Sequence, residues 1–195
     1  MQSIAHELRQ PLSAIESTAY YLGLILPRGD GRAQVHVALL RQLVEQSNWI
    51  LCCGLQLADA TPPSPTRVDL EEFLTETIAS AIAAAKPVLE LAGNLPPVRL
   101  DPARGRALVV NVLGLFEQIS EGAHSIHVKT ERDRDGVALE ITVNAPGRSS
   151  ESALGAGSAL CLSSVRQTVD AHGGLFTMTV HPIDGVRLRI VLAAC

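Results

Sequence analysis

A histidine followed at once by an acid stands near the start of the chain, in the run HELRQPLSAI that begins at His6. A neutral imidazole ring has a free nucleophilic nitrogen near pH 7, so it can accept a phosphoryl group. A neighbouring carboxylate such as Glu7 can take or orient the proton on the other ring nitrogen. From its spacing alone, His6 is better interpreted as a solvated helix histidine without chemistry.

The apolar residues around His6 predict an amphipathic helix. They recur in steps of three and four residues, and the set consists of Ile4, Leu8, Leu12, Ile15, Ala19, Leu22 and Leu26. At about 100° per residue, His6 points away from this set, and Arg9, Gln10 and Ser13 share its polar face. We therefore expect an active site on another protein to reach His6, with Arg9 and Ser13 contacting that partner.

A second helix is expected from about Arg32 to residue 60, after a break at residues 27–31 that contains proline and glycine. Its apolar stripe is wider than one partner helix can cover. The stripe consists of Leu39, Leu43, Ile50 and Leu57, widened by Leu40, Val44 and Leu51. Such a hairpin buries its two apolar faces most simply against a second copy, which predicts a homodimeric four-helix bundle.

Three prolines within residues 61–66 form a stiff linker after this first domain, residues 1–60. Residues 67–195 alternate between helix and strand patterns and predict an α+β fold, a mixed sheet with helices on one face. The expected helices are 68–85, 103–119 and 159–171, and the expected strands are 88–91, 98–100, 125–130, 137–143, 175–180 and 186–192. A loop rich in Gly, Ser and Ala is expected over 145–159.

Composition argues against several classes of function. The net charge is −4 and the 16 Lys and Arg residues are scattered, which disfavours nucleic acid as a partner. No apolar run reaches the roughly 18 residues that cross a bilayer, and nothing resembles a signal peptide. The four cysteines lack zinc-site spacing. A cytoplasmic protein with free thiols and no metal site of its own is expected.

The run HELRQPLSAI resembles the H-box in the dimerisation domain of sensor histidine kinases, with the histidine, the acid and the Pro-Leu pair in register. Residues 67–195 are similar in element order to the ATP-binding domain of that family, so the resemblance covers essentially the whole chain. It implies that His6 is the phosphoacceptor and that Glu7 assists proton transfer. Gln10 stands where many members carry Thr or Asn, a position that aims the water that dephosphorylates the partner regulator.

Two motifs of the ATP-binding domain depart from the family pattern. In the N-box segment, Asn111 matches the first asparagine, but Leu115 stands where a magnesium-contacting asparagine is usual. In the segment that ends at Gly147, Val143 falls on the aspartate that binds the adenine amino group. A shift of one residue gives Asn144, which is only a partial substitute.

The third departure is in the phosphate loop, where Gly157 is retained but Ala159 and Cys161 replace the other two glycines. Each lost polar contact is worth on the order of 1–3 kcal/mol, so three losses predict a degenerate domain that ATP is unlikely to occupy. A flexible surface connection is the alternative interpretation of this Gly-rich segment.

These departures predict a histidine phosphotransferase. His6 would exchange a phosphoryl group with the receiver-domain aspartate of a response regulator, the receiver would supply the Mg²⁺, and the chain itself would bind no cofactor. The chain begins five residues before His6, which favours a stand-alone relay protein, although a piece of a longer sensor would begin in the same way. Two alternatives stay open: the core of an active sensor kinase that autophosphorylates from ATP, and a regulator-binding scaffold without chemistry.

Overall fold

The computed structural model describes residues 2–27, 31–81, 87–120, 126–143, 156–181 and 185–195. The side chains of residues 2–6, 118–120 and 156 lie outside that description. The chain forms two compact units, Met1–Asp59 and Ala60–Cys195. Among the described residues, no helix is long and apolar enough to span a membrane.

The first unit is a helical hairpin of α1 (Gln2–Ile25) and α2 (Gly31–Ala58). The helices are antiparallel, because Arg9 contacts Cys52 at the open end and Tyr20 packs against Arg41 nearer the turn. Pro11 lies inside α1, where its ring removes one N–H from the helical hydrogen-bond ladder. Among the described residues of this unit, the buried apolar side chains are Ala19, Val37, Val44 and Cys53.

The apolar set predicted for the first helix is only partly covered within one chain. Ala19 is 1% exposed, but Leu8 and Ile15 remain 49% and 43% exposed. On α2, Leu39 and Leu43 remain 47% and 49% exposed. The hairpin therefore leaves apolar surface uncovered on both helices, which is unusual for leucine and isoleucine at regular helical spacing.

The second unit is a mixed sheet covered by three helices, which confirms the predicted α+β fold. Five strands lie in the order β2-β4-β5-β7-β6, and only the β2–β4 pair is parallel. Helix α4 packs against α3, α5 and the strands β4 and β5. The elements are β1 (Thr66–Val68), α3 (Leu70–Ser80), β2 (Val88–Glu90), β3 (Val98–Leu100), α4 (Pro102–Ser120), β4 (Ile126–Asp133), β5 (Gly136–Val143), α5 (Ala156–Ala171), β6 (Leu175–His181) and β7 (Gly185–Ala193).

The two faces of the sheet differ in chemistry, as alternation along its strands requires. The face that the helices cover contains fully or almost fully buried side chains, among them Val128, Ile141, Leu188 and Ile190. On the other face, Arg189 lies between carboxylates of two neighbouring strands, namely Glu131, Asp133 and Glu140. Its hydrogen bonds hold the pKa values of Glu131 and Asp133 below their usual range.

The segment that follows the linker differs from the prediction. The sequence predicts a linker through residue 66 and a helix from residue 68, but Thr66–Val68 forms the strand β1, which pairs antiparallel with β3. Helix α3 begins only at Leu70, because Asp69 caps it by accepting the backbone N–H groups of Glu71 and Glu72. Strands β2 and β3 do not pair with each other, since β2 joins the main sheet beside β4.

Asp101 joins the linker to the start of α4. Its Oδ1 caps the helix by accepting the N–H groups of Ala103 at 3.0 Å and Arg104 at 3.2 Å. Its Oδ2 accepts the N–H of Ser64 at 2.8 Å. The hydrogen bond from Ser64 and the two cap bonds lower the pKa of Asp101, although its burial acts in the opposite direction.

His172 extends this connection to the end of α5. Its Nε2 accepts the backbone N–H of Asp101 at 2.9 Å, and its Nδ1 lies 2.7 Å from the carbonyl oxygen of Thr168. These contacts fit the neutral tautomer in which Nδ1–H donates and Nε2 accepts. The sequence suggests only a glycine cap at this helix end, and Gly173 does adopt a φ of 66° there.

Replacing Asp101 with alanine should lower the free energy of unfolding at pH 7 by about 2 kcal/mol, since a cap and a linker hydrogen bond are both lost. The matched control is Asp69→Ala, which removes a cap alone and should cost about 1 kcal/mol. Both losses can be measured by urea unfolding followed by circular dichroism. Equal losses for the two variants would contradict the role of the Ser64 contact.

The Asp101 contribution should also depend on pH. Because folding lowers the pKa of this carboxyl, its stabilisation is complete above the unfolded value near 3.8 and is lost as the pH falls through the lower folded value. The difference between the wild type and Asp101→Ala should therefore shrink in strong acid. A difference that stays constant from pH 7 to the acid limit of folding would show that the charge contributes nothing.

Candidate functional site: the helical hairpin and the α4–α5 contact

The predicted phosphoacceptor lies in the second turn of α1. The side chain of His6 lies outside the described residues, so the imidazole direction predicted from the helical wheel stays a prediction. The side chains of Glu7, Arg9, Gln10 and Ser13 are all exposed. The polar face predicted beside His6 is thus open to solvent within one chain.

A thiol on the second helix contacts this face. The guanidinium of Arg9 donates to the Sγ of Cys52 at 3.6 Å, and Cys52 is half-buried. The contact places the last turns of α2 beside the turn of α1 that follows His6. Sequence reasoning missed this neighbour, although counting outward from the hairpin break along both helices would have paired Arg9 with the Cys52 region.

The motif residues of the second unit lie where α4 meets α5. Asn111 is 3% exposed on α4, and Leu115, one turn later, is fully buried. Cys161 on α5 is also fully buried, and its Sγ donates to the carbonyl oxygen of Asn111 at 3.4 Å. Val143, the last residue of β5, is fully buried as well. Three of these four motif positions therefore carry apolar side chains in the core, namely Leu115, Val143 and Cys161.

The predicted phosphate loop is helical in this chain. The sequence predicts a loop through residue 159, but α5 already begins at Ala156, so Gly157 and Ala159 belong to its first turn and Cys161 to its second. The reason is local, because alanine and cysteine at positions 159 and 161 favour a helix more than the family's glycines do. Asn144 and Gly147, predicted for the adenine segment, lie outside the described residues.

The first turn of a 16-residue helix retains one property of a phosphate site. Its backbone N–H groups have no partners within the helix and lie at the positive end of the helix dipole. Metal binding would depend on side chains instead of backbone groups. Among the described residues, no group of three or more His, Cys, Asp or Glu side chains could bind a metal ion.

Curated proteins similar to this chain are sensor kinases. Sensor histidine kinase ZraS of Escherichia coli O157:H7 is 26% identical over 206 residues, which cover 97% of this chain and 44% of ZraS. ZraS of Klebsiella oxytoca is also 26% identical, with the same coverage. The chain thus spans less than half the length of the curated relatives it matches. No family model matches it.

Solved structures agree with this result. Full-length ShkA in complex with AMPPNP aligns with a TM-score of 0.62 at 19% identity, over 100% of this chain and 46% of ShkA. The histidine kinase AdeS of Acinetobacter baumannii aligns with a TM-score of 0.59 at 16% identity, over 97% and 98% of the two chains. The fold is that of a sensor histidine kinase core.

Two expectations from the sequence are wrong. The chain was expected to be a phosphotransferase without ATP-dependent kinase activity, yet the relatives that match it along almost its whole length are sensor histidine kinases. ATP was expected to be unlikely, yet the kinase-core fold is found in ShkA in complex with AMPPNP, an ATP analogue. The error came from treating each lost side-chain contact as an independent loss, because losses at neighbouring positions do not add and backbone groups also bind phosphate.

Restoring the family's glycine at position 161 should destabilise the protein. Cys161→Gly removes a fully buried side chain and adds glycine to a helix, so we expect a loss of about 2 kcal/mol in the free energy of unfolding. The matched control is Ala159→Gly, at an exposed position two residues earlier, which should cost at most about 1 kcal/mol. Urea unfolding measures both variants. A Cys161→Gly variant as stable as Ala159→Gly would mean that the thiol does not matter for α4–α5 packing.

Proposed function

We propose that this chain is the catalytic core of a sensor histidine kinase, which transfers the γ-phosphoryl group of ATP to His6. From His6 the phosphoryl group would pass to the aspartate of a response-regulator receiver domain. The observation that carries the proposal is the similarity to sensor histidine kinase ZraS over 97% of the chain. The exposed polar face around Glu7 and Gln10 on α1 supports it.

The chemistry at His6 follows from its ring. A ring nitrogen attacks the γ-phosphorus, the N–P bond forms as the bond to the bridging oxygen breaks, and ADP leaves. Glu7, the next residue, takes or orients the proton on the other ring nitrogen and so keeps the attacking nitrogen nucleophilic. Gln10, one turn later on the exposed helix surface, would orient the water that dephosphorylates the regulator.

The second unit would bind ATP through a reduced set of side chains. Leu115 and Val143 have no polar side-chain atom and are fully buried, so neither can bind magnesium or the adenine amino group. The backbone N–H groups at the start of α5, with Gly157 among them, fit the phosphates. Asn111 retains the family's amide on α4. We infer that backbone groups carry more of nucleotide binding here than in kinases with complete motifs.

The kinase proposal is tested by labelling with [γ-³²P]ATP and Mg²⁺. The wild-type chain should gain an acid-labile, alkali-stable label, as a phosphohistidine does, and His6→Ala should gain none. His36→Ala is the matched control, because it removes an exposed histidine of the same hairpin and should leave the label unchanged. ATP should also raise the melting temperature of the wild type. A chain that gains neither the label nor the thermal shift would overturn the proposal.

We also infer that two copies pair through the hairpin into a four-helix bundle. The half-exposed Leu8 and Ile15 on α1 and Leu39 and Leu43 on α2 support this pairing, since a second hairpin would remove their surface from water. A phosphoacceptor domain built in this way presents one His6 per copy.

The pairing is tested by charging the uncovered stripe. The double variant Leu39→Asp, Leu43→Asp should shift the chain from dimer to monomer in size-exclusion chromatography with light scattering, because buried unpaired carboxylates are costly. Leu175→Asp is the control, since this leucine is 60% exposed in the second unit and its replacement should leave the dimer intact. A wild type that is monomeric at micromolar concentration would contradict the pairing.

A further inference from the structure

The two edges of the five-stranded sheet differ in length and in charge. At one edge, β2 has three residues and ends at Glu90, and a short, charged strand is a poor template for a further strand. At the other edge, all seven residues of β6 pair with β7 without a bulge, and no described strand pairs with the outer side of β6. Its sequence, LFTMTVH, contains no proline, no lysine and no acid. The β6 edge therefore lacks the features by which proteins usually prevent strand pairing.

The apolar side chains of β6 on the helix-covered face of the sheet are incompletely buried. Phe176, Met178 and Val180 are each half-buried. Their register partners on β7 are at most 2% exposed, namely Ile190, Leu188 and Val186. The two strands differ in that β7 has a neighbouring strand on each side, whereas β6 has one among the described strands. A further strand beside β6 would remove apolar surface of these three side chains from water.

The sequence of β6 is complementary to itself when two copies run antiparallel. With Met178 opposite Met178 of the second copy, Phe176 lies opposite Val180 and Thr177 opposite Thr179, each pair occurring twice. Aromatic pairs with β-branched residues and pairs of threonines are among the cross-strand pairs that stabilise antiparallel sheets. A shift of one residue would instead put threonines opposite apolar side chains. The pattern therefore favours one register, with a twofold axis at Met178.

We propose that the β6 edge binds the β6 edge of a second copy of this chain, so that two second units join their sheets into one. Main-chain hydrogen bonds would hold the two strands together, and the cross-strand pairs would set their register. Because each copy uses its edge once, the contact closes at two copies. The inference goes beyond the proposed function, and it holds whether or not His6 accepts a phosphoryl group.

The contact is weak, because it buries little more than one strand from each copy. Interfaces of this size belong to transient complexes, and a dissociation constant on the order of 100 µM is expected. At micromolar concentration the edges of separate molecules therefore stay unpaired. Association through the β6 edge becomes measurable only in concentrated protein.

The test uses the full chain with Leu39→Asp and Leu43→Asp, so that contacts between hairpins do not contribute to association. In sedimentation equilibrium from about 10 µM to about 1 mM, this parent chain should convert from monomer to dimer and form no larger species. Adding Thr177→Glu and Thr179→Glu puts like charges opposite each other across the twofold axis and should weaken association at least tenfold. Within each copy the new carboxylates lie beside Arg189 and Arg187, so the melting temperature should not fall.

Charge reversal identifies the edge. A parent chain with Thr177→Lys and Thr179→Lys should also fail to pair with itself. An equimolar mixture of the lysine and glutamate variants should associate at least as strongly as the parent, since opposite charges then face each other, and 0.5 M NaCl should weaken this mixed pair. Arg132→Glu is the matched control for net charge. It also makes the chain two units more negative, but on β4, two strands away from β6, and should leave association unchanged.

The register is tested by a disulfide at the twofold axis, which does not require a charged variant to fold. In a chain with Cys52→Ser and Cys195→Ser, which removes the two thiols that are not buried, Met178→Cys should form a disulfide between copies on mild oxidation. Directly opposite residues of antiparallel strands have Cα atoms about 4.5–5.5 Å apart, within the range of a disulfide. Thr177→Cys, which faces Thr179 of the second copy, should cross-link at least tenfold more slowly.

Three results would overturn the inference. The first is a parent chain that stays monomeric at about 1 mM, which is ten times the expected dissociation constant. The second is undiminished association of the Thr177→Glu, Thr179→Glu variant, since the contact would then lie elsewhere. The third is growth beyond the dimer, which would indicate an open contact between unlike surfaces. None of these results affects the labelling of His6 by ATP, so the proposed function is tested separately.

Discussion

Burial of α4 is the constraint on which the second unit depends. This helix is packed against the sheet and against α3 and α5, and the side chains of Val112, Leu115 and Phe116 are fully buried. A polar side chain at position 115 would need a partner or a ligand to offset its desolvation, which is a cost that leucine avoids. Leu115, which departs from the family pattern, therefore contributes to packing of the core, and it stabilises the domain whether or not a nucleotide is bound.

The same helix has a fixed beginning. Asp101 caps it, holds the linker through Ser64, and offers its backbone N–H to His172 at the end of α5. Three segments that are distant in sequence are thus joined at one carboxylate and one imidazole. Because each of these groups satisfies backbone atoms that would otherwise be left without partners, the junction restricts where α4 and α5 can lie relative to the linker.

The parts of this fold that local patterns determine could be predicted from sequence. The helical hairpin, the five strands of the main sheet and the α+β class follow from periodicity and from turn residues. The strand β1 could not be recognised, since three residues after a proline-rich linker carry too little pattern and its partner β3 is 30 residues away in the chain. The early start of α5 at Ala156 was not predicted, because a glycine-rich loop was expected over these residues.

The site was predicted less completely than the fold, for a physical reason. The exposure of Arg9, Gln10 and Ser13 followed from helical projection, because an exposed face is a local property. The prediction about ATP failed because it counted side chains, and nucleotide binding also uses backbone groups that no residue type reveals. Cys52 beside Arg9 was missed because a contact between two helices depends on their register, which the sequence sets only through the length of the turn.

Arginine has two different environments in the second unit, and only one of them contributes ion pairs between strands. Arg189 lies among three carboxylates with its side chain 28% exposed, so its charge is balanced within the sheet and its contacts hold neighbouring strands together. Arg67 and Arg99 repel each other on an exposed ribbon. The ion pairs of Arg189 within the sheet account for a charged side chain at this position. The repulsion between two exposed arginines is screened by water and salt, so it costs the ribbon little.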